Sequence, residues 1–260
     1  MGTVVTLDVR APEPPAPLAA AVRAVTDRLR GIDDVFSPWR EGSWVSRLIT
    51  GRVLLADCPA EVRDVVELAL RLAALTDGYF SPFWRGPSAS AGPDPTGLVK
   101  GWAAQQASDV LLAHGLAHHV VNAAGDLVVS GRPDPQDATA RWRVGISDPA
   151  APGRLAGVVE LPGGPRRWAV ATSGPAELGL HVADPHTGRF PSSTASATVV
   201  APVEGPQPEG GAFADACATA LVAAGDTAGD LMRGLTSLGL EAFLMASDGS
   251  VDDPGRLLRR

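Results

Sequence analysis

The sequence predicts a single α+β domain. Three observations carry that expectation: helical segments toward both ends, a run of strand-length apolar segments in the middle, and no linker long enough to separate domains. Length alone does not decide, since 260 residues could make one large domain or a pair of small ones. Hydrophobic residues make up 45%, enough for a sizeable core, while 20% are charged.

Residues 3–9 (TVVTLDV) partly alternate apolar and polar side chains and read as a strand. Pro12, Pro14, Pro15 and Pro17 then stiffen a turn. Over 18–36, Leu18, Val22, Val25, Leu29, Ile32 and Phe36 recur at three- and four-residue steps, the stripe of an amphipathic helix. A second such helix is expected over about 60–76, with Val62, Val65, Val66, Leu70 and Leu72 in its apolar pattern and Gly78 as its stop. The Pro, Gly and Ser content of 81–99 predicts a loop, with a helix from about 101 to 114 after it. Strands are expected near 118–123, 126–130, 141–147, 156–161, 167–172, 180–183 and 195–202. Helices over about 211–224 and 227–238 precede a last strand at 240–246. The Pro-containing segments 132–138, 148–154 and 203–210 read as surface loops, and no internal repeat is present.

Charge narrows the function. A formal net charge of −7 argues against a nucleic-acid partner, which calls for a basic face. An anionic ligand would need a local cation, a metal or aimed backbone N–H groups. Cys58 and Cys217 stand far apart, which excludes a multi-bridge disulfide framework and a four-cysteine zinc site. No apolar run approaches the roughly 18 residues of a membrane span. The first ten residues lack a basic segment followed by an apolar one, so a cytoplasmic protein is expected. Lys100, Asn122 and Tyr79 are each the only residue of their type, as under a codon bias that spares positions where substitution is difficult.

Several segments carry candidate chemistry. Asp215 and Thr219 lie four apart on an expected helix, on one face with Cβ atoms about 5–6 Å apart. Their oxygens suit a hard cation such as Mg2+; the plain alternative is a buried Asp and a Thr bonded back to its helix. In DPTGLVKGWA (94–103), Gly97 and Gly101 bracket Lys100 at an expected helix entry, where phosphate could bind, although the Walker spacing is absent. In HVADPHTG (181–188), His181 is a candidate base or a structural hydrogen-bonder, beside turn chemistry at Asp184-Pro185. His114, His118, His119 and His186 read as surface or strand residues matching no zinc spacing. FSPWREGSWVSRL (36–48), TDGYFSPFW (76–84) and VNAAGDLVVSG (121–131) add aromatic and turn-rich clusters that could receive a flat ring or simply fill a core.

Taken in order, MGT, FSPWREGSWVSRL, TDGYFSPF, KGWA, NAAGDLVVSG, ATSG, HVADPHTG and ADACATAL resemble the FAD:protein FMN transferase (ApbE-like) family along nearly the whole chain. The resemblance implies one flavin-transferase-like domain over 1–260, with a mixed, largely antiparallel sheet packed with helices. It implies metal ligation by Asp215 and Thr219, with a backbone carbonyl near Val99 as third ligand. Lys100 and Gly101 would lie beside the FAD pyrophosphate, and Trp39, Ser43, Gly78 and Thr172 would line the FAD site with His181. Lys100, His181 and Asp184 form the implied catalytic set. The implied reaction is Mg2+-dependent transfer of FMN from FAD to a Ser or Thr of an acceptor flavoprotein, releasing AMP. Alternatives are a Mg2+-dependent FAD pyrophosphatase and a non-catalytic FAD-binding protein; a serine hydrolase using Ser43 or Ser173 with His181 lacks the G-x-S-x-G elbow. The chain departs from the family pattern at Ala124-Gly125-Asp126, where two glycines are common, and at Gln105, where Asp is common. It also has a short stretch between Ser173 and His181.

Overall fold

A computed structural model describes residues 3–11, 18–84, 92–174, 182–204 and 209–259. Strands β1 (Val5–Val9), β2 (His119–Ala123), β3 (Asp126–Gly131), β6 (Gly164–Ser173), β7 (Thr194–Pro202), β8 (Glu241–Ala246) and β9 (Val251–Asp252) form one sheet in the order β1-β2-β3-β6-β7-β8-β9. A second sheet, β10-β5-β4, is built from β4 (Arg141–Ser147), β5 (Leu155–Pro162) and β10 (Leu258–Arg259). Among the described residues every strand pairing is antiparallel, so the expected α+β domain with a largely antiparallel sheet is what forms.

Alternation of side chains along the strands divides the interior into two layers. Val128, Ala169, Ala171, Ala197, Val199, Ala201, Ala242 and Leu244 face the main core, under the helices. Val129, Val170, Val200, Phe243 and Met245 face the other way, onto Trp142, Val144, Ile146, Val159 and Leu161 of the small sheet. The alanines on the helical face let helices approach closely.

The helices are α1 (Leu18–Phe36), α2 (Trp44–Ile49), α3 (Ala60–Leu75), α4 (Thr96–Ala113), α5 (Gly210–Ala224) and α6 (Ala228–Ser237), with short 3-10 turns at Leu55–Asp57 and Gly225–Thr227. α5 runs through the centre: every residue is buried except Thr219, which is half-buried. A helix apolar on all sides belongs in a core, and Asp215 is its lone carboxylate.

Three expectations are corrected. α4 begins at Thr96 rather than near 101, because Asp94 Oδ1 accepts both the Thr96 N–H (3.0 Å) and the Thr96 hydroxyl (2.6 Å) and starts the helix before the glycines. The aromatic segment after Phe36 contains the unforeseen α2, capped by Ser43, whose Oγ accepts the Ser46 N–H at 2.9 Å. Of the strand expected at 180–183, residues 180 and 181 lie outside the described residues, and 182 and 183 are not strand.

Candidate active site

The candidate site forms where α4 crosses α5, and glycine makes the crossing possible. A Cβ on Gly101 would lie 2.1 Å from the Gly211 carbonyl oxygen, and one on Gly211 would lie 2.3 Å from the Gly101 carbonyl oxygen. The two backbones therefore touch. The contact brings the Gly101 N–H to 3.0 Å from Asp215 Oδ2. One turn back on α5, the buried Gly211 N–H donates to Gln105 Oε1 at 2.9 Å, so a side chain of α4 caps the start of α5.

Lys100 is on the second turn of α4 rather than at a loop-to-helix junction, and its ammonium is 2.6 Å from Asp126 Oδ2. Asp126 opens β3 and is only 2% exposed. The hairpin that presents it is tight: Asn122 Oδ1 accepts the Gly125 N–H at 2.8 Å, and Ala124 and Gly125 both have positive φ (52° and 96°). Thr219 follows Asp215 by one turn, and its hydroxyl lies 3.2 Å from that of Ser173 at the end of β6. Thr172 has the opposite orientation, with its hydroxyl 2.9 Å from that of Thr198 across the β6–β7 pair. Val99 sits in the first turns of α4, where a helical carbonyl points toward the N–H four residues on and keeps a second lone pair.

The other predicted site residues occupy separate elements. His181 lies outside the described residues. The turn after it is organised by Asp184, whose Oδ1 accepts the His186 N–H (2.9 Å) and whose Oδ2 accepts the Thr187 hydroxyl (2.7 Å). His186, read as a surface or strand residue, is exposed and docks this turn on the segment after α3. Its Nε2 is 3.0 Å from the Asp77 carbonyl oxygen, so it carries the proton there, and its ring meets Tyr79 edge-on at 4.8 Å. Gly78, at φ 81°, leaves the room that His186 fills, since a Cβ would fall 3.0 Å from the ring. Ser43 is buried; besides capping α2, its hydroxyl donates to the Ser37 carbonyl at 2.6 Å. Trp39 stands clear of the core at 86% exposure. The structure thus gathers Lys100, Gly101, Asp215 and Thr219, and it adds Asp126, Gln105 and Ser173.

Asp215 is 3% exposed. Burial pushes its carboxyl above the ordinary carboxylate range, opposed by the Lys100 charge and by the N–H groups of Gly101 and Lys100. A divalent cation would relieve the same penalty, and the nearby donors are a carboxylate and a hydroxyl, hard oxygens suited to Mg2+. Among the described residues no three His, Cys, Asp or Glu side chains gather as a metal cage. An ion here would thus complete its shell with carbonyl, water or substrate oxygens, which is the habit of Mg2+. Two cavities, of about 510 and 640 Å³, open elsewhere: one beside Arg141, Trp168 and Arg256, the other beside Arg28, Glu61 and Trp102. Neither is lined by Lys100 or Asp215, so the donors rather than cavity size mark the site.

Among solved structures, an ApbE protein from Thermotoga maritima superposes with a TM-score of 0.79 at 21% identity, covering 100% of this chain and 97% of its own. The flavin transferase ApbE from Vibrio cholerae gives 0.75 at 20% identity, over 97% of this chain and 93% of its own. The Pseudomonas stutzeri flavinyl transferase ApbE gives 0.75 at 22%, over 100% and 95%. At these identities the likeness establishes the fold. No curated protein matches the sequence. No helix among the described residues is long and apolar enough to cross a membrane. The family model of the ApbE family matches residues 1–88 and 85–244, most of the length from β1 to β8, and the chain belongs to the ApbE family.

Proposed function

We propose that this chain is an FAD:protein FMN transferase, a single flavin-transferase-like domain over 1–260 that passes the FMN half of FAD to a Ser or Thr hydroxyl of an acceptor flavoprotein. The observation that carries the reading is the buried Asp215 carboxylate, one helical turn from Thr219 and hydrogen-bonded to Gly101 beside Lys100. Family membership supports it, as do structural neighbours that are themselves flavin transferases.

In this reading the acceptor oxygen forms a bond to the FMN phosphorus as the bond from that phosphorus to the AMP oxygen breaks. The acceptor proton passes to His181 as base, and AMP leaves. Lys100 supplies a point charge to the pyrophosphate. Asp215, Thr219 and the Val99 carbonyl would hold Mg2+, which when bound neutralises charge collecting on the pyrophosphate oxygens. Asp184 shapes the turn that follows His181. Trp39, Ser43, Gly78 and Thr172 are read as lining the approach to the flavin or nucleotide. Positioning and electrostatics supply most of the acceleration, as in phosphoryl transfer generally.

The test is mass spectrometry of a candidate acceptor incubated with FAD, Mg2+ and the protein. A gain of one FMN on a single Ser or Thr is expected. Asp215→Asn, which keeps an acceptor for the Gly101 N–H, should slow transfer by about a hundredfold or more. Free FMN formed without acceptor would replace this reading with a pyrophosphatase; stoichiometric FAD with no AMP would replace it with a binding protein.

A further inference from the structure

Lys100 stands near two buried carboxylates, and its ammonium is paired with Asp126. Its backbone adjoins Gly101, whose N–H reaches Asp215 Oδ2 at 3.0 Å, yet its ammonium is 2.6 Å from Asp126 Oδ2. A lysine stem is long and flexible and carries three donors, so nothing intrinsic to the side chain directs it to Asp126. The hairpin does: Asn122, Ala124 and Gly125 fix the turn from which Asp126 is presented.

We propose that Asp126 is a positioning residue for Lys100, holding the ammonium on the β3 side of the site and so keeping the Asp215 carboxylate open to a divalent cation. The proposal rests on the metal reading of Asp215 and Thr219. The Lys100 charge already acts on Asp215, so without Asp126 the ammonium and a metal compete for that carboxylate.

Direct binding of Mn2+, followed by electron paramagnetic resonance, tests this without using activity. Asp126→Asn should weaken Mn2+ binding about tenfold, the scale of losing an outer-shell partner. Asp126→Asn/Lys100→Met should restore it, and Asp126→Glu, which keeps the anion, should retain most of it. A change in local charge alone could mimic the first two results, so the position of Lys100 is read separately. Lys100 is the only lysine, so protein labelled with 13Cε-lysine gives a single side-chain NMR signal. In wild type Mg2+ should barely move that signal. In Asp126→Asn the signal should shift, and Mg2+ should shift it again as the ammonium is displaced from Asp215. Wild-type Mn2+ affinity in Asp126→Asn, a double variant as weak as the single one, or a Lys100 signal indifferent to Asp126 would each overturn the proposal. Absence of Mn2+ binding by the wild type would instead remove the metal reading itself, and the proposal with it. Should Asp126→Asn not fold, the double and Glu variants carry the same comparisons.

Discussion

Lys100, Asn122 and Tyr79 each occur once in the chain, and each holds something in place. Lys100 pairs with Asp126, Asn122 closes the turn that presents Asp126, and Tyr79 donates to or accepts from Thr227 at 2.8 Å while its ring meets His186. The contact that decides the geometry of the site, however, is made by residues with no side chain. Gly101 sits inside α4, where alanine would ordinarily be favoured by about 1 kcal/mol. Here the added Cβ would meet the Gly211 carbonyl at 2.1 Å and Asp215 Cβ at 2.9 Å, and a backbone carbonyl cannot swing aside as a flexible side chain can. Overpacking of this kind costs about 1–3 kcal/mol, so the clash outweighs the propensity gain. Gly101→Ala should therefore lower the urea midpoint and push α4 away from α5 at Asp215. A variant as stable as wild type would show that the helices separate freely.

At the scale of elements, the site depends on how α4 grips α5. Gln105 provides the acceptor for the buried Gly211 N–H, and its removal takes that acceptor from a buried donor. Such a loss costs about 1–3 kcal/mol. Gln105→Ala should show it as a lower unfolding free energy, with faster hydrogen exchange at the Gly211 amide than in wild type; unchanged exchange there would refute the capping role. Which of these elements could be read from the sequence follows from the range of the forces involved. α1 and α3 were legible because a 3.6-residue apolar stripe is a local pattern. Asp215 is legible together with Thr219 because a four-residue spacing puts a carboxylate and a hydroxyl on one helical face. The start of α4 was hidden by Pro and Gly, which mark loops on average, while the hydrogen bonds that override them come from one residue, Asp94. In the sequence Gln105 shows only as a departure from the family pattern, and Asp126 only as a member of the turn-rich segment NAAGDLVVSG. Their partners are fixed by packing between elements far apart in the chain, Lys100 with Asp126 and Gln105 with Gly211, which no local pattern encodes.

Across the whole molecule, a second polar network ties α4 to the sheet. Arg167 of β6 donates to Asp109 at 2.6 Å, to Glu204 at 2.5 Å and to Ser108 Oγ at 3.1 Å. Ser108 in turn lies 2.8 Å from Nε2 of His119, a β2 residue that is completely buried. His119 Nδ1 is 2.6 Å from the Leu116 carbonyl oxygen, so Nδ1 carries the proton and Nε2 accepts from Ser108. Burial pushes the His119 pKa down from 6.5 to about 4; the Leu116 carbonyl opposes the shift, and the Arg167 and His118 charges add to it. The folded chain therefore refuses a proton that the unfolded chain accepts. Stability from this group is complete above pH 6.5 and is lost as the pH falls toward 4, with no further change below. A shift of that size corresponds to about 3 kcal/mol, as an order of magnitude. His119→Gln retains one donor and one acceptor but cannot titrate, so its urea-unfolding free energy should fall less than that of wild type between about pH 7 and pH 4. Carboxylates that titrate in the same range act on both proteins and cancel in the difference. Parallel pH profiles for the two would mean that His119 takes up a proton as readily in the fold as in the unfolded chain, and would refute its burial as a neutral imidazole.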